Sequence, residues 1–360
     1  MDNTDSRADT PEIYERLATP VNPGTPDFYD FDDETKFKVY VGGRRSQLAV
    51  VQSRWVAAKL RDVHPGMTFP VIALSTLGDN VQNKPLYAFG GKALWTKELE
   101  KLLLEKVPGY EQVDMVVHSL KDMPTQLPEG CILGAITERE DPRDALCIKS
   151  TSPWKYLADL PDGSIVGTSS LRRSAQLRRR YPTLQFEPVR GTLGTRLDKL
   201  EAEDSRYAAI ILAAAGLHRL HLQDRITSYL EPPDMYYAVG QGALGIEIRG
   251  GDARIQKLVS RINHRSTSFR CRAERSLMRT LEGGCSVPIG VQSSYDSTSG
   301  TLRIAGIVVS VDGSEAVEGE VSSEVYSDQE ADQVGIDLAA DLVAKGAKRI
   351  LDEIHLDHIS

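Results

Sequence analysis

Three settings in this 360-residue chain hold residue types that a core or a surface does not ordinarily need. The first is Cys285, in LEGGCSVPIG over residues 281–290. Its thiol follows two glycines at the end of a helical segment and precedes Pro288, an open turn on which a thiolate nucleophile has room to act. The competing reading is a buried structural cysteine, since free cysteine is among the most buried residue types. The second is Lys121 and Asp122 in VHSLKDMPT, 117–125, directly after an apolar strand, where open α/β sheets place their ligands. An ordinary solvated turn pair competes with that reading.

The third is a series of cations at strand-to-helix junctions. GTSSLRRSAQLRRR, 167–180, opens a helix with Thr168, Ser169 and Ser170, so hydroxyls, backbone N–H groups and the positive helix end converge with Arg172 and Arg173. Arg178, Arg179 and Arg180 lie a turn or two further on and read as a solvated basic face. Arg190, in VRG, and Arg196, one turn into the next helix, repeat the arrangement, as do Arg44 and Ser46 after the first strand. One such arginine is more often a surface charge, but three successive junctions describe a cleft for a polyanion. A hydrogen bond to a charged group contributes about 1.5–3 kcal/mol, so a ligand with several carboxylates would be held tightly.

Other motifs carry less. VGQGALG, 239–245, has Gly240, Gly242 and Gly245 in dinucleotide-fingerprint spacing, but that fingerprint needs a strand before it and a helix after it. Here Ile246–Arg249 reads as a strand, and the glycines read as a crossing between domains. The chain has no GxxxxGK[ST], HExxH or GxSxG motif. Cys131, Cys147 and Cys271 sit in apolar or helical settings and read as structural, and His118 as a packing or capping group. No CxxC pair is present, which argues against structural zinc and disulfides.

The elements that must position these residues alternate in type. Strands are expected at 38–42, 69–74 and 113–118 with helices at 46–63 and 96–106, then strands at 164–166, 184–188 and 208–213 with helices at 170–180 and 193–202. Both sets imply largely parallel sheets covered by helices. The final third instead alternates like antiparallel strands at 287–294, 302–311 and 316–323, before a helix with Val334, Leu338 and Leu342 on one face. A smaller α+β domain is expected there.

Length and 41% hydrophobic content suit two or three cores. The longest apolar run, 208–217, is half of what a membrane helix needs. Residues 1–36 hold ten acidic and three basic residues and read as a disordered acidic tail resembling neither a secretory signal nor a mitochondrial presequence; a cytoplasmic protein is expected. The remaining body, with 40 basic and 41 acidic residues, argues against non-specific nucleic-acid binding.

Across about residues 38–355 these segments resemble the hydroxymethylbilane synthase (porphobilinogen deaminase) family. GGRRSQLAVVQ, GGKALWTKELE, VHSLKDMPT, EREDPRDAL, GTSSLRRSAQL, VRGTLGTRL, AVGQGALGIE and LEGGCSVPIG occur in family order, in wording closest to the fungal branch. The resemblance implies two doubly wound lobes like those of a periplasmic binding protein, plus a smaller C-terminal α+β domain with an antiparallel sheet. The first lobe would span 37–137 and 243–262, the second 142–238, and the third domain 265–360. It implies a dipyrromethane cofactor on Cys285 through a thioether, held by Lys121, Ser170, Arg172, Arg173, Arg190 and Gly191. Substrate carboxylates would meet Arg44, Ser46, Gln52, Lys92, Arg196 and Arg219. Asp122 matches the catalytic aspartate: it would protonate the departing amine of porphobilinogen, stabilise the cationic azafulvene and accept the α-proton of the attacking ring, with Lys121 helping to keep it ionised. Four condensations and a hydrolysis would release hydroxymethylbilane from a monomer. The chain departs from many relatives at Ala88, where a second lysine is usual, and carries Trp95 where Phe is common. A two-lobed polycarboxylate-binding protein without chemistry is the rival reading; it would need neither Cys285 nor Asp122.

Overall fold

A computed structural model describes residues 37–74, 96–107, 111–281 and 287–357. The acidic tail, Ala88, Lys92, Trp95 and Cys285 lie outside the described residues. The chain begins with β1 (Phe37–Lys38), β2 (Val41–Arg44), α1 (Gln47–Val63), β3 (Met67–Thr68), β4 (Val71–Leu74), α2 (Lys97–Leu104), β5 (Met115–Ser119) and β6 (Cys131–Ile136). Ser46 starts α1 by accepting a hydrogen bond from the Ala49 N–H at 3.4 Å, satisfying a donor the helix end cannot. Val51, Trp55, Val56 and Leu60 then pack with Val41, Met115 and Val117 of the sheet.

Residues 137–143 carry the chain into a second layer of elements: β7 (Asp144–Ile148), β8 (Ile165–Gly167), α3 (Leu171–Arg180), β9 (Gln185–Glu187), α4 (Leu193–Glu201), β10 (Tyr207–Ala213), α5 (Ala214–Arg219) and β11 (Ser228–Leu230). The chain then returns to the first sheet as β12 (Leu244–Arg249), followed by α6 (Ala253–Val259). The first five-stranded sheet has order β4-β2-β5-β12-β6, the second β11-β7-β10-β8-β9. The third part comprises α7 (Arg265–Thr280), an antiparallel meander of β13 (Ile289–Asp296), β14 (Thr301–Val309) and β15 (Ala316–Glu324), then α8 (Asp328–Ala344) and α9 (Ala347–Asp357). Val334, Leu338 and Leu342 of α8 lie in its core. The molecule is thus mixed α/β, two-lobed, with a smaller antiparallel C-terminal part.

The largely parallel expectation needs correction. β4-β2-β5 and β10-β8-β9 are parallel, but β12 runs antiparallel to β5 and β6, and β7 to β10 and β11. Both are the strands that follow a crossing, and they enter their sheets from the opposite end. β6, β7 and β11 were not among the expected strands.

The crossings explain the glycine spacing. Glu140 donates its N–H to the Gly242 carbonyl at 3.1 Å, and Leu120 to Ala243 at 2.9 Å. Gly242 is left-handed (φ 89°), and a Cβ there would lie 2.3 Å from the Glu140 carbonyl oxygen. The glycine permits two main chains to touch, and a strand follows, not a helix.

Candidate functional site

β5 ends in a single 3₁₀ turn, Leu120–Asp122, fixed from three sides. Leu120 is buried beneath Gly240 and Gly245. Its N–H is held by the second crossing. Ser119 is held by Gln52 of α1, whose Nε2 donates to the Ser119 Oγ at 2.9 Å. Gln52, expected at a ligand carboxylate, is therefore engaged in supporting the turn. Lys121 and Asp122 project to where the second lobe's charges act on them. Burial lowers the Lys121 ammonium to about 8; Asp122 and Asp144 oppose this shift, while Arg173 and Arg172 add to it.

Asp144, the first residue of β7, is completely buried. Its Oδ2 accepts from Arg172 Nη1 at 2.7 Å, and its Oδ1 from Arg173 Nη2 at 2.7 Å and Arg173 Nε at 3.0 Å. Burial alone would raise this carboxyl; the two guanidiniums outweigh it and hold it well below the carboxylate range. Arg172 also donates to the Tyr236 carbonyl at 2.5 Å, and Arg173 to the Ile211 carbonyl at 2.9 Å. The pair expected to meet a ligand is thus fixed in orientation by an internal carboxylate, a rigid fork of the kind that recognises carboxylates in pairs.

The remaining expected site residues sit at the ends of neighbouring strands and helices. Ser170 is the N-cap of α3, yet its side chain makes no cap hydrogen bond. Gly191 is left-handed at φ 119°, with no room for a Cβ against Thr195, and its carbonyl accepts from Arg196 Nε at 2.9 Å. Burial, then Arg173 and Arg190, lower Arg196 to about 10. Among the described residues neither Arg190 nor Arg196 has an ion pair. Arg219 donates to the Gly242 carbonyl at 2.6 Å, and among the described residues its buried Nε has no hydrogen-bond partner. Arg44 ends β2, and Ser46 starts α1, which meets α5 across the lobes: a Cβ on Gly216 would lie 3.7 Å from Leu48 and 2.9 Å from Leu193.

Lys121, Arg172, Arg173 and Arg196 thus act on one another, Arg190 acts on Arg196, and the Asp122 and Asp144 carboxylates lie among them. That convergence of cations fits a ligand with several carboxylates and so fits a dipyrromethane bearing acetate and propionate groups.

The third part is fastened to the crossings by a second buried charge pair. Arg139 donates to Glu274 Oε1 at 2.6 Å and Oε2 at 3.0 Å, and Glu274 also accepts from Ser293 Oγ at 2.5 Å and Gly240 N at 2.8 Å. Glu274 lies on α7, the helix that precedes Cys285 in the chain; Leu281 and Val287, on either side of Cys285, are buried in the third core. Asp144, Gln241, Arg139 and Glu274 were all missed from sequence. The EREDPRDAL segment, which contains Arg139 and Asp144, and AVGQGALGIE, which contains Gln241, were the available signals.

Residues 39–257 match the model of the porphobilinogen deaminase dipyrromethane cofactor-binding domain, and 268–344 that of the porphobilinogen deaminase C-terminal domain. The porphobilinogen deaminase of Yarrowia lipolytica is 60% identical over 330 residues, covering 91% of this chain and 97% of that protein. That of Saccharomyces cerevisiae is 53% identical, covering 89% and 98%, and that of Synechococcus elongatus 50%, covering 88% and 95%. Among solved structures, a TctC solute-binding protein from Polaromonas is 12% identical with a TM-score of 0.39, over 88% of this chain and 98% of that one. A score of that size carries no argument; the fold stands on its own sheets.

Proposed function

The chain belongs to the porphobilinogen deaminase family, in its fungal form, and from that premise we propose how its residues perform hydroxymethylbilane synthase chemistry. This transferase activity of tetrapyrrole and haem biosynthesis joins four porphobilinogen molecules head to tail with loss of ammonia. Family membership sets aside the rival of a binding protein without chemistry.

The dipyrromethane group, thioether-linked to Cys285, supplies when bound the pyrrole end on which the new rings are added. The side chains of Lys121, Ser170, Arg172, Arg173 and Arg190, with the Gly191 backbone, hold its carboxylates. Arg44, Ser46, Arg196, Arg219 and Lys92 bind those of arriving substrate, and Gln52 acts through Ser119 on the turn. Asp122 delivers a proton to the aminomethyl nitrogen as ammonia departs, then faces the cation left on the substrate ring as a carboxylate. It finally takes up the α-proton lost when the new carbon–carbon bond forms. The adjacent Asp122 carboxylate in turn favours the charged form of the Lys121 ammonium. Each substrate ring adds two carboxylates, so the convergence of cations is what retains the growing product.

The observation behind this proposal is the convergence of Lys121, Arg172, Arg173 and Arg196 on one another beside Asp122, with the Arg172–Arg173 pair fixed by the buried Asp144. The chain acts, in this proposal, as a cytoplasmic monomer with no nucleic-acid or membrane partner; among the described residues no helix is long and apolar enough to cross a membrane. The test is turnover of porphobilinogen by the purified protein and its Asp122→Asn variant. Loss of at least about 10²-fold in kcat with primer still attached is expected for a group that handles the proton; wild-type kcat in the variant contradicts the role.

A further inference from the structure

Gln241, inside the glycine-rich crossing, has no part in the chemistry above, yet it is completely buried between the two lobes. Its Nε2 donates to the Pro142 carbonyl at 2.7 Å and to Asp144 Oδ1 at 2.9 Å. Its Oε1 accepts from Lys121 Nζ at a longer 3.5 Å. Its main-chain N–H donates to Ala238, and its carbonyl accepts from Arg139 Nε at 2.8 Å. The amide can be oriented only one way, because Nε2 faces two acceptors and Oε1 faces an ammonium. Gly240 and Gly242 on either side are left-handed and have no room for a Cβ, so the residue cannot shift without moving both crossings.

We infer that Gln241 is a positioning residue for the condensation: its amide joins the Lys121–Asp122 turn of the first lobe to the Asp144-held arginine fork of the second. The inference rests on the roles given above to Lys121 and Asp122. Among long side chains glutamine alone meets both demands without adding charge. A glutamate would set a carboxylate against Asp144, and a lysine or arginine would set a cation against Lys121. An apolar side chain would leave the buried Asp144 carboxylate short of one donor and remove the acceptor that faces the Lys121 ammonium. The catalytic turn is thereby held in register with the anion cleft through one amide.

The test is made on primer-bearing protein, with rates expressed per primer-bearing molecule by intact mass and folding checked by thermal unfolding. Gln241→Leu is expected to lower kcat about ten- to a hundredfold, the scale of a small misplacement of reacting groups, with KM for porphobilinogen changing less than about threefold. Gln241→Glu is expected to be impaired at pH 8. Relative to wild type it should recover as pH falls toward 6, because a carboxyl facing Asp144 protonates readily and then again donates to Asp144 while accepting from Lys121. A wild-type kcat in Gln241→Leu overturns the inference. So does a variant-to-wild-type ratio in Gln241→Glu that is flat with pH, and that ratio decides the matter if the leucine variant does not fold. Asp122→Asn separates the two levels: an inactive Asp122→Asn beside a fully active Gln241→Leu sinks this inference alone, whereas an active Asp122→Asn sinks the assignment beneath it.

Discussion

Removing the Glu274 carboxylate should loosen the third part of the molecule from the crossings. Glu274 is wholly buried and Arg139 is 2% exposed at its side chain, so Glu274→Ala leaves a guanidinium in a dry site with only neutral neighbours, the Gln241 carbonyl, Ser293 Oγ at 3.4 Å and the Tyr237 ring 4.8 Å away, in place of its carboxylate. Breaking a buried pair from one side costs about 3–5 kcal/mol, while replacing both members with apolar groups can be near neutral. Arg139→Met with Glu274→Leu should therefore cost less than the sum of the two single changes, by an interaction energy of at least about 1–3 kcal/mol. Chemical denaturation of Glu274→Ala and of the four proteins of this cycle, followed by one spectroscopic probe throughout, reads this directly. Acid should act in the same direction. Burial raises the Glu274 carboxyl, but Arg139, Ser293 and the Gly240 N–H outweigh it and hold it below its usual 4.5. Its stabilisation is then fully present above that value and lost as pH falls through the lower, folded one. Glu274→Ala within about 1 kcal/mol of wild type, or strictly additive single changes, would refute the reasoning.

Lys121→Met should stabilise the ligand-free protein, made as Cys285→Ser, while impairing retention of carboxylates. Folding lowers Lys121 from 10.5 to about 8, so the protonated side chain opposes folding fully below 8 and ceases to between 8 and 10.5. The gain near neutral pH is about 2 kcal/mol, below the ~3 of the full shift because the side chain is partly exposed, and its absence in denaturation curves at pH 7 would contradict the burial that lowers Lys121. Gly242→Ala should cost about 3 kcal/mol or more, since backbone oxygen blocks the Cβ and φ is positive; an unchanged melting temperature would refute the crossing geometry. Burial pushes the thiols of Cys131 and Cys147 up to about 12 and that of Cys271 to about 11. Brief alkylation of the native Cys285→Ser variant at pH 8 followed by peptide mapping should leave all three unmodified, and rapid labelling of any one contradicts its placement.

What could be read from sequence is what local pattern and motif order record. The strands and helices carrying Lys121, Arg172 and Arg196 fell within a few residues of their observed bounds, because their apolar periodicity is strong and Ser46, Ser170 and Thr192 mark helix starts. The glycine fingerprint was resolved by the strand that follows it. The antiparallel placement of β7 and β12 was not legible, because it depends on where the chain crosses between sheets. Nor were the partners of the arginines: Asp144 meets Arg172 and Arg173 from 28 and 29 residues away, and Glu274 meets Arg139 from 135. Such long-range pairs leave no periodic trace in one sequence. Gln52 shows the converse, a residue placed in the right neighbourhood by resemblance whose contact in the structure is Ser119.

The covalent primer is the central claim, and intact-protein mass spectrometry on the wild-type chain and its Cys285→Ser variant tests it most directly. The account predicts an excess mass of two linked pyrroles on the wild type and none on the variant. A wild-type mass equal to the bare chain, even after incubation with porphobilinogen, would contradict it.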